Sequence, residues 1–163
     1  MTTFSYAQSA DRKFTQQIKA AYLYNFLKFV VWPEQSTDSI PATKTICLHG
    51  PKNFELLFEP VKQTAIRDKS LIVKQCARFD PGQTCNIIFI DASNKNRIKN
   101  IIKSLQGSPV LTVSDHKDFA AQGGMIEFIQ KENNIRFIIN HTAAKAAGLQ
   151  ISSKLLDLAI SVK

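Results

Sequence analysis

The stretch Cys85-Asn86-Ile87-Ile88-Phe89-Ile90 decides the fold of this chain. Its last four residues are apolar without alternation, which is typical of a central strand that is covered on both faces. Residues 91–105 follow with a helical pattern, whose core face is formed by Ile98, Ile101, Ile102 and Leu105. A buried strand that leads into such a helix predicts the repeating unit of a parallel sheet flanked by helices.

Strand and helix patterns alternate on both sides of this stretch. The other strands are predicted at 45–50, 70–77, 109–113, 125–129 and 135–139. The other helices are predicted at 13–31, 53–61 and 154–162, with a short Ala-rich one capped by Asn140. This order predicts a single α/β layered domain over residues 13–163, with a mostly parallel sheet flanked by helices and an antiparallel C-terminal hairpin.

The first twelve residues are predicted to lie outside that domain. Ala7 and Ser9 fit the small-x-small end of a secretory signal, although the charged and apolar parts of such a signal are missing. We interpret residues 1–12 as a signal remnant or a disordered N-terminus. The first of these interpretations predicts an exported protein.

The basic charge of the chain is spread along its length. The formal charge is +8, from 21 basic and 13 acidic side chains. Residues 1–80 carry 11 basic and 7 acidic side chains, and residues 81–163 carry 10 and 6. Nucleic acid binding favours a concentrated basic patch with exposed aromatic residues, so we expect no nucleic acid partner. Spread charge fits acidic lipid head groups or an acidic partner equally well.

Groups that carry chemistry do not combine into a complete catalytic motif. Cys47 and His49 share one face of a predicted strand, but no orienting group accompanies them. The turn Gly50-Pro51-Lys52-Asn53 matches neither of the phosphate-binding glycine patterns. Asp115-His116 follows a strand and is best interpreted as a solvated loop. We therefore predict that the protein is not an enzyme and has no catalytic, cofactor-binding or metal-binding residues.

Two groups of side chains are candidates for a partner interface. Lys95, Lys99 and Lys103 recur every four residues on the predicted helix, away from its isoleucine face. Such a stripe is either a solvated surface or a docking site for an acidic partner. In the first helix most aromatic residues are expected in the core. The members that we expect to be exposed there are Tyr24, Lys28 and Trp32.

Several blocks of sequence, taken in order, carry a family resemblance. They begin with Ala20-Ala21-Tyr22-Leu23-Tyr24-Asn25-Phe26-Leu27-Lys28-Phe29-Val30-Val31-Trp32-Pro33 and Ile46-Cys47-Leu48-His49-Gly50. They continue with Cys85-Asn86-Ile87-Ile88-Phe89-Ile90 and Gly123-Gly124-Met125-Ile126. They end with Arg136-Phe137-Ile138-Ile139-Asn140 and Ile151-Ser152-Ser153-Lys154-Leu155-Leu156. Together these blocks resemble the YfiR-like family over most of residues 14–160.

The resemblance implies a periplasmic protein that binds the periplasmic domain of a membrane diguanylate cyclase and represses it. In that family an outer-membrane lipoprotein relieves repression, after which cyclic-di-GMP and biofilm formation rise. Homodimers are also implied. By the same resemblance Cys47 and Cys85 occupy the positions of a disulfide. Cys76 with Cys85 is the local alternative, since eight residues separate them.

Two other functions remain open at the level of sequence. The first is a small-molecule sensor that uses the carboxyl edge of the sheet, near Gly50, Asp91 and Asp115. The second is a small α/β enzyme with Cys47 or a carboxylate at that same edge. A deep pocket lined by titratable groups with shifted pKa values would favour the enzyme.

Overall fold

The computed structural model describes residues 3–33, 43–50, 52–65, 71–80, 84–132 and 134–163, with side chains from residue 11 onward except 64 and 65. Pro51 and Ser70, which belong to predicted elements, lie outside this description. The helices are α1 (Thr3–Phe29), α2 (Glu59–Ala65), α3 (Lys95–Ser104), α4 (His141–Ala146) and α5 (Ser153–Leu158). Short 3₁₀ segments, Phe54–Phe58 and Ala92–Asn94, precede α2 and α3.

The strands form one large sheet and one small one. In chain order they are β1 (Val30–Val31), β2 (Lys44–His49), β3 (Leu71–Gln75), β4 (Ile87–Ile90), β5 (Leu111–Ser114), β6 (Ile126–Lys131), β7 (Asn134–Ile139), β8 (Gln150–Ile151) and β9 (Ser161–Val162). Within the described ranges the large sheet has the order β3-β2-β4-β5-β6-β7-β9, and β1 pairs with β8.

The strand directions match the predicted class. Five strands run parallel to one another, in the order β3, β2, β4, β5 and β6. Strand β7 runs antiparallel to β6 and forms a hairpin with it. The α/β prediction is confirmed, and β4 lies in the interior of the sheet as its uninterrupted apolar pattern indicated. Strand β9 adds in parallel to the outer side of β7, so the hairpin itself is not the edge of the sheet.

The two faces of β4 contact two separate apolar clusters. Ile87 and Phe89 belong to the cluster that contains α1 and the Phe54–Phe58 segment. Ile88 and Ile90 belong to the cluster that contains Ile98 and Ile101 of α3. Because successive side chains of a strand point to opposite faces, four apolar residues in a row require helices on both sides.

Both ends of the chain differ from the predicted boundaries. Helix α1 begins at Thr3, ten residues before the predicted start, because residues 3–29 contain neither glycine nor proline to interrupt it. The signal-remnant interpretation of residues 1–12 stays a prediction. The last helix ends at Leu158, and residues 161–162 form β9 instead, because the backbone amides of Ile160 and Lys163 donate to the open edge of β7.

The end of α1 also differs, and this places Trp32 in the interior. The helix stops at Phe29, since Val30 and Val31 pair with β8. Trp32 is only 4% exposed, and its indole Nε1 donates to the carbonyl of Asn86 at 3.2 Å. The expectation that Trp32 is exposed is therefore wrong. It packs at the amino edge of the sheet, where the ammonium of Lys44 covers its ring at 4.4 Å.

Candidate partner-binding surface

Helix α3 presents the predicted lysines to solvent. Its buried side is formed by Ile98 and Ile101. Lys95, Lys99 and Lys103 are all exposed, and we call these three residues the lysine stripe. The segment from Lys95 to Leu105 contains no acidic residue, so the positive charge of the stripe has no compensation within its own helix.

An apolar cleft of about 250 Å³ lies between α3 and α4. We call it the α3–α4 groove, and its apolar wall is formed by Ile102, Leu105, Met125, Ala143, Ala146 and Ala147. A helix turns by about 100° per residue, so Lys95 and Lys99 lie within about 60° of Ile102 around the axis of α3. Lys95 and Lys99 therefore lie on the side of α3 that borders the groove, whereas Lys103 lies about 100° from Ile102.

The floor of the α3–α4 groove is held by close packing beneath Gly123 and Gly124. Gly123 has a φ of 105°, which favours glycine. A Cβ on Gly124 would lie 2.1 Å from the buried ring of Phe119, so only glycine fits there without a shift. The amide of Met125 donates to the hydroxyl of Thr112 at 3.0 Å.

Side-chain hydrogen bonds fix the α4 wall of the groove. Asn140 caps α4, because its side-chain oxygen accepts from the amide of Ala143 at 3.0 Å, as predicted. Its Nδ2 donates to the carbonyl of Ala120 at 3.1 Å. Buried Glu127 accepts from the amide of Ala120 at 2.9 Å. These bonds connect α4, the Phe119 turn and the hairpin, so the α4 wall of the groove is preorganised.

The other predicted interface residues lie on the opposite face of the sheet. Tyr24 is half-buried and Lys28 is exposed on α1, with the Lys28 ammonium 4.7 Å from the centre of the Tyr24 ring. Helices α1 and α3 cover different faces, so the structure does not bring Tyr24 and Lys28 together with the lysine stripe. Trp32 is buried at the amino edge of the sheet, so it belongs neither with Tyr24 and Lys28 nor with the lysine stripe.

Cys47 and Cys85 are joined in a disulfide, with their Cα atoms 6.0 Å apart. This is the pairing that the family resemblance implied, and the local alternative with Cys76 is not formed. Cys47 lies on β2 and Cys85 leads into β4, which is the neighbouring strand. The bridge therefore ties two central strands together on the α3 face of the sheet.

At the carboxyl edge of the sheet, the strand ends of β2 and β4 are fastened to each other. The carbonyl of His49 accepts from the amide of Asp91 at 2.8 Å and from the side chain of Asn94 at 3.1 Å. Asp91 in turn caps the next 3₁₀ segment by accepting from the amide of Ser93 at 3.2 Å. His49 is 5% exposed, and burial lowers its pKa below 6.5, with a further lowering by the charge of Arg97.

Asp115, the third candidate at this edge, binds protein groups with both of its oxygens. It accepts from the Lys19 ammonium at 2.8 Å and from the amide of Ala92 at 2.8 Å. Lys19 is only 6% exposed, so this ion pair fastens α1 to the carboxyl end of β5. Hence Asp91 and Asp115 serve to position the strand ends and helices.

Sequence reasoning did not find the groove or the Lys19 pair. The groove combines residues of α3 with residues of α4 that are about forty positions away in sequence. Taken alone, each set has the pattern of an ordinary helix. Lys19 did give a signal, because it lies inside the wide apolar arc of the first helix. A lysine in such a position requires an acidic partner.

The fold and this surface define a class of protein: an α/β domain that carries an apolar groove between two helices, with exposed lysines on one of them. The chain belongs to the YfiR/HmsC-like family, whose model matches residues 16–160. That family consists of periplasmic regulatory proteins that act with membrane signalling partners. Within the described ranges, each helix is too short or too polar to cross a bilayer.

Two solved structures are similar in fold. A conserved domain protein from Vibrio cholerae O1 biovar El Tor strain N16961 has a TM-score of 0.58 and 13% identity, over 91% of this chain and 60% of its own length. The ABC domain in complex with L-Trp from Streptococcus pneumonia has a TM-score of 0.54 and 15% identity, over 74% and 56%. This chain thus spans less than two thirds of either protein, and at these identities the likeness concerns the fold alone.

Proposed function

We propose that this protein is a periplasmic repressor that binds the periplasmic domain of a membrane diguanylate cyclase, and thereby lowers cyclic-di-GMP and biofilm formation. The family match over residues 16–160 is the observation that carries this proposal. A disulfide between Cys47 and Cys85 supports the periplasmic location, because such bonds persist in oxidising compartments. A homodimer, and release by an outer-membrane lipoprotein, belong to the same proposal.

The α3–α4 groove and the lysine stripe are the surface that we assign to the cyclase. An apolar groove with a basic border is complementary to an apolar segment that carries Asp or Glu along one side. Repression then requires that the surface binds one state of the cyclase better than the other, because a ligand shifts an equilibrium only by its differential affinity. No chemical step by this chain is needed.

The test is a calorimetric titration of the protein with the periplasmic domain of a diguanylate cyclase from the same organism. The Lys99→Glu, Lys103→Glu variant is expected to bind at least about tenfold more weakly, because charge reversal opposes an acidic partner. The matched control is Lys131→Glu with Lys154→Glu, which changes the net charge equally at exposed positions outside the groove. Its affinity should stay within about twofold of the wild type.

Two results separate the parts of the proposal. If wild-type protein does not bind the cyclase domain, the repressor function is wrong. If it binds but both double variants lose the same affinity, the function stands and the assigned surface is wrong. A reporter in cells measures the same effect. Cells that carry the Lys99→Glu, Lys103→Glu variant should contain more cyclic-di-GMP than wild-type cells only if both the repressor function and the assigned surface are correct.

A small-molecule sensor is the second candidate, and a specific cleft favours it. About 600 Å³ lies between α1 and the Phe54–Phe58 segment, next to the turn that follows β2. Lys13 and Lys52 stand at its border, and Phe54 and Leu57 form its apolar floor. A small ligand there should raise the melting temperature of the protein and alter its affinity for the cyclase domain. A ligand that raises the melting temperature but leaves the affinity for the cyclase domain unchanged would contradict the sensor function.

A further inference from the structure

A different cleft, of about 420 Å³, lies on the other flank of α3. One wall is formed by Arg78 and Phe79, which follow β3, and the other by α3. The residues that α3 contributes are Arg97, Asn100, Ile101 and Ser104. Two guanidinium groups thus come from separate segments and line one cleft, together with an amide, a hydroxyl and an aromatic ring. We call it the arginine cleft.

The residue types in the arginine cleft define the chemistry that it recognises. A guanidinium offers a rigid fork of donors that matches the oxygens of a carboxylate or a phosphate. Asn100 adds a neutral donor, whereas the Ser104 hydroxyl already donates to the carbonyl of Asn100 at 2.8 Å. Phe79 and Ile101 supply an apolar surface for a ring or short chain. Each of the described residues that lines the cleft is basic, neutral polar or apolar.

His49 lies behind the Phe79 wall, with the two ring centres 6.1 Å apart. It is 5% exposed, and among the residues that the structure describes no group bonds its buried Nε2. A buried polar nitrogen ordinarily has a hydrogen-bond partner. Because Phe79 both contacts the His49 ring and lines the arginine cleft, a polar group bound in that cleft is a candidate partner for this nitrogen.

We infer that the arginine cleft binds a small oxyanion, a carboxylate or phosphate group, carried on an apolar or planar body. Arg78 and Arg97 hold the charged group from the two walls, and Phe79 and Ile101 contact the body. This inference goes beyond the repressor function and does not depend on it. The binding requires no reaction and no second chain.

The arginine cleft is distinct from the α3–α4 groove, although both use α3. Around the helix axis, Asn100 and Ser104 lie about 100° or more from Lys95 and Lys99, at 100° per residue. Lys95 and Lys99 border one flank of α3 and the arginine cleft the other. Substitutions on one flank therefore serve as matched controls for the other.

The test is a titration of the whole protein, followed by amide resonances at low ionic strength, with inorganic phosphate, phenyl phosphate and benzoate as probes. Saturable shifts are expected at Arg78, Phe79, Arg97 and Asn100, together with a shift of the His49 ring. Phenyl phosphate should bind more tightly than inorganic phosphate, since only the former has a ring for the apolar wall. Equal affinities of these two probes would contradict a site for an apolar or planar body.

Paired variants then separate a built site from general charge. The Arg78→Gln, Arg97→Gln variant should bind phenyl phosphate at least about tenfold more weakly, because two charge-assisted hydrogen-bonding groups are lost. The control Lys95→Gln, Lys99→Gln removes the same charge from the other flank and should change the affinity by less than about twofold.

Equal weakening in the two double variants would overturn the inference, because the net charge of +8 alone would then explain the binding. Absence of saturable shifts with every probe at millimolar concentration would overturn it as well. Circular dichroism of each variant shows whether it has folded. All the substituted side chains are exposed, so the wild-type spectrum is expected.

Discussion

On one face of the sheet α1 lies over a continuous group of aromatic rings, whereas on the other α3 covers a smaller aliphatic cluster beside a disulfide. Phe26 stacks with Phe128 at 6.0 Å and meets Phe137 edge-on at 5.5 Å. The α3 face has Ile98, Ile101 and Phe119 in its core, and α3 lines both the groove and the arginine cleft. We therefore expect the α1 face to contribute more of the stability, whereas the α3 face carries the groove and the arginine cleft.

Truncation of Phe26 is expected to have the largest effect, since it tests the face that carries the stability. Phe26→Ala should lower the free energy of unfolding by about 3–5 kcal/mol, because the cavity lies among buried rings. Ile98→Ala on the α3 face should cost less, about 2–4 kcal/mol. Urea unfolding followed by circular dichroism measures both. A larger loss for Ile98→Ala would reverse the comparison between the two faces.

Removal of the disulfide tests how much the α3 face depends on a covalent tie. Cys47 and Cys85 are 38 residues apart, so the bridge is expected to contribute ~4 kcal/mol by restricting the unfolded chain. The Cys47→Ser, Cys85→Ser variant should show this loss in urea, and a reducing agent should destabilise the wild type by a similar amount. Cys76→Ser is the control and should leave the response to the reducing agent in place.

Gly124→Ala tests the packing beneath the groove. The added methyl group would meet the ring of Phe119, which is fully buried, so we expect a loss of about 1–3 kcal/mol. Gly107→Ala is a useful comparison, because Gly107 has a φ of 82° and no atom lies within 4 Å of the new methyl group, so this variant tests backbone conformation without a contact. A loss well below about 1 kcal/mol for Gly124→Ala would contradict the predicted contact with Phe119.

The smallest expected effect is the pH dependence that His49 contributes. Its pKa is lowered in the folded state by burial and by the charge of Arg97, so the unfolded chain takes up a proton first as the pH falls. This part of the stability is complete above pH 6.5 and declines below it. Unfolding measured at about pH 7.5 and 5.5 should show a smaller decline for His49→Gln than for the wild type. Identical declines would mean that the pKa of His49 is the same in the folded and the unfolded state.

Much of the fold could be predicted from local pattern. Residues 87–90 are apolar at every position, and a strand of this kind has a place only inside a sheet covered on both faces. The cap at Asn140 could also be predicted, since asparagine favours that position, and its side-chain oxygen accepts from the amide three residues later. The lysine stripe followed from spacing alone, since the core face of α3 is unambiguous.

What could not be predicted depends on contacts between distant segments. Residues 161–162 have no strand pattern of their own and become β9 because β7 offers an open edge. Trp32 follows the short strand β1, in which Val31 faces solvent, and its burial depends on contacts with Asn86 and Lys44. The groove and the arginine cleft each need two segments that only the folded topology brings together.

The position of the disulfide has a consequence for how the molecule withstands proteases. The bridge encloses residues 47–49 of β2, the Phe54–Phe58 segment, α2 and β3 within a covalent ring. A single cut anywhere between Cys47 and Cys85 opens that ring without releasing a fragment. A clipped molecule therefore keeps its full mass until the bond is reduced, and its two pieces stay close enough to remain paired in the sheet.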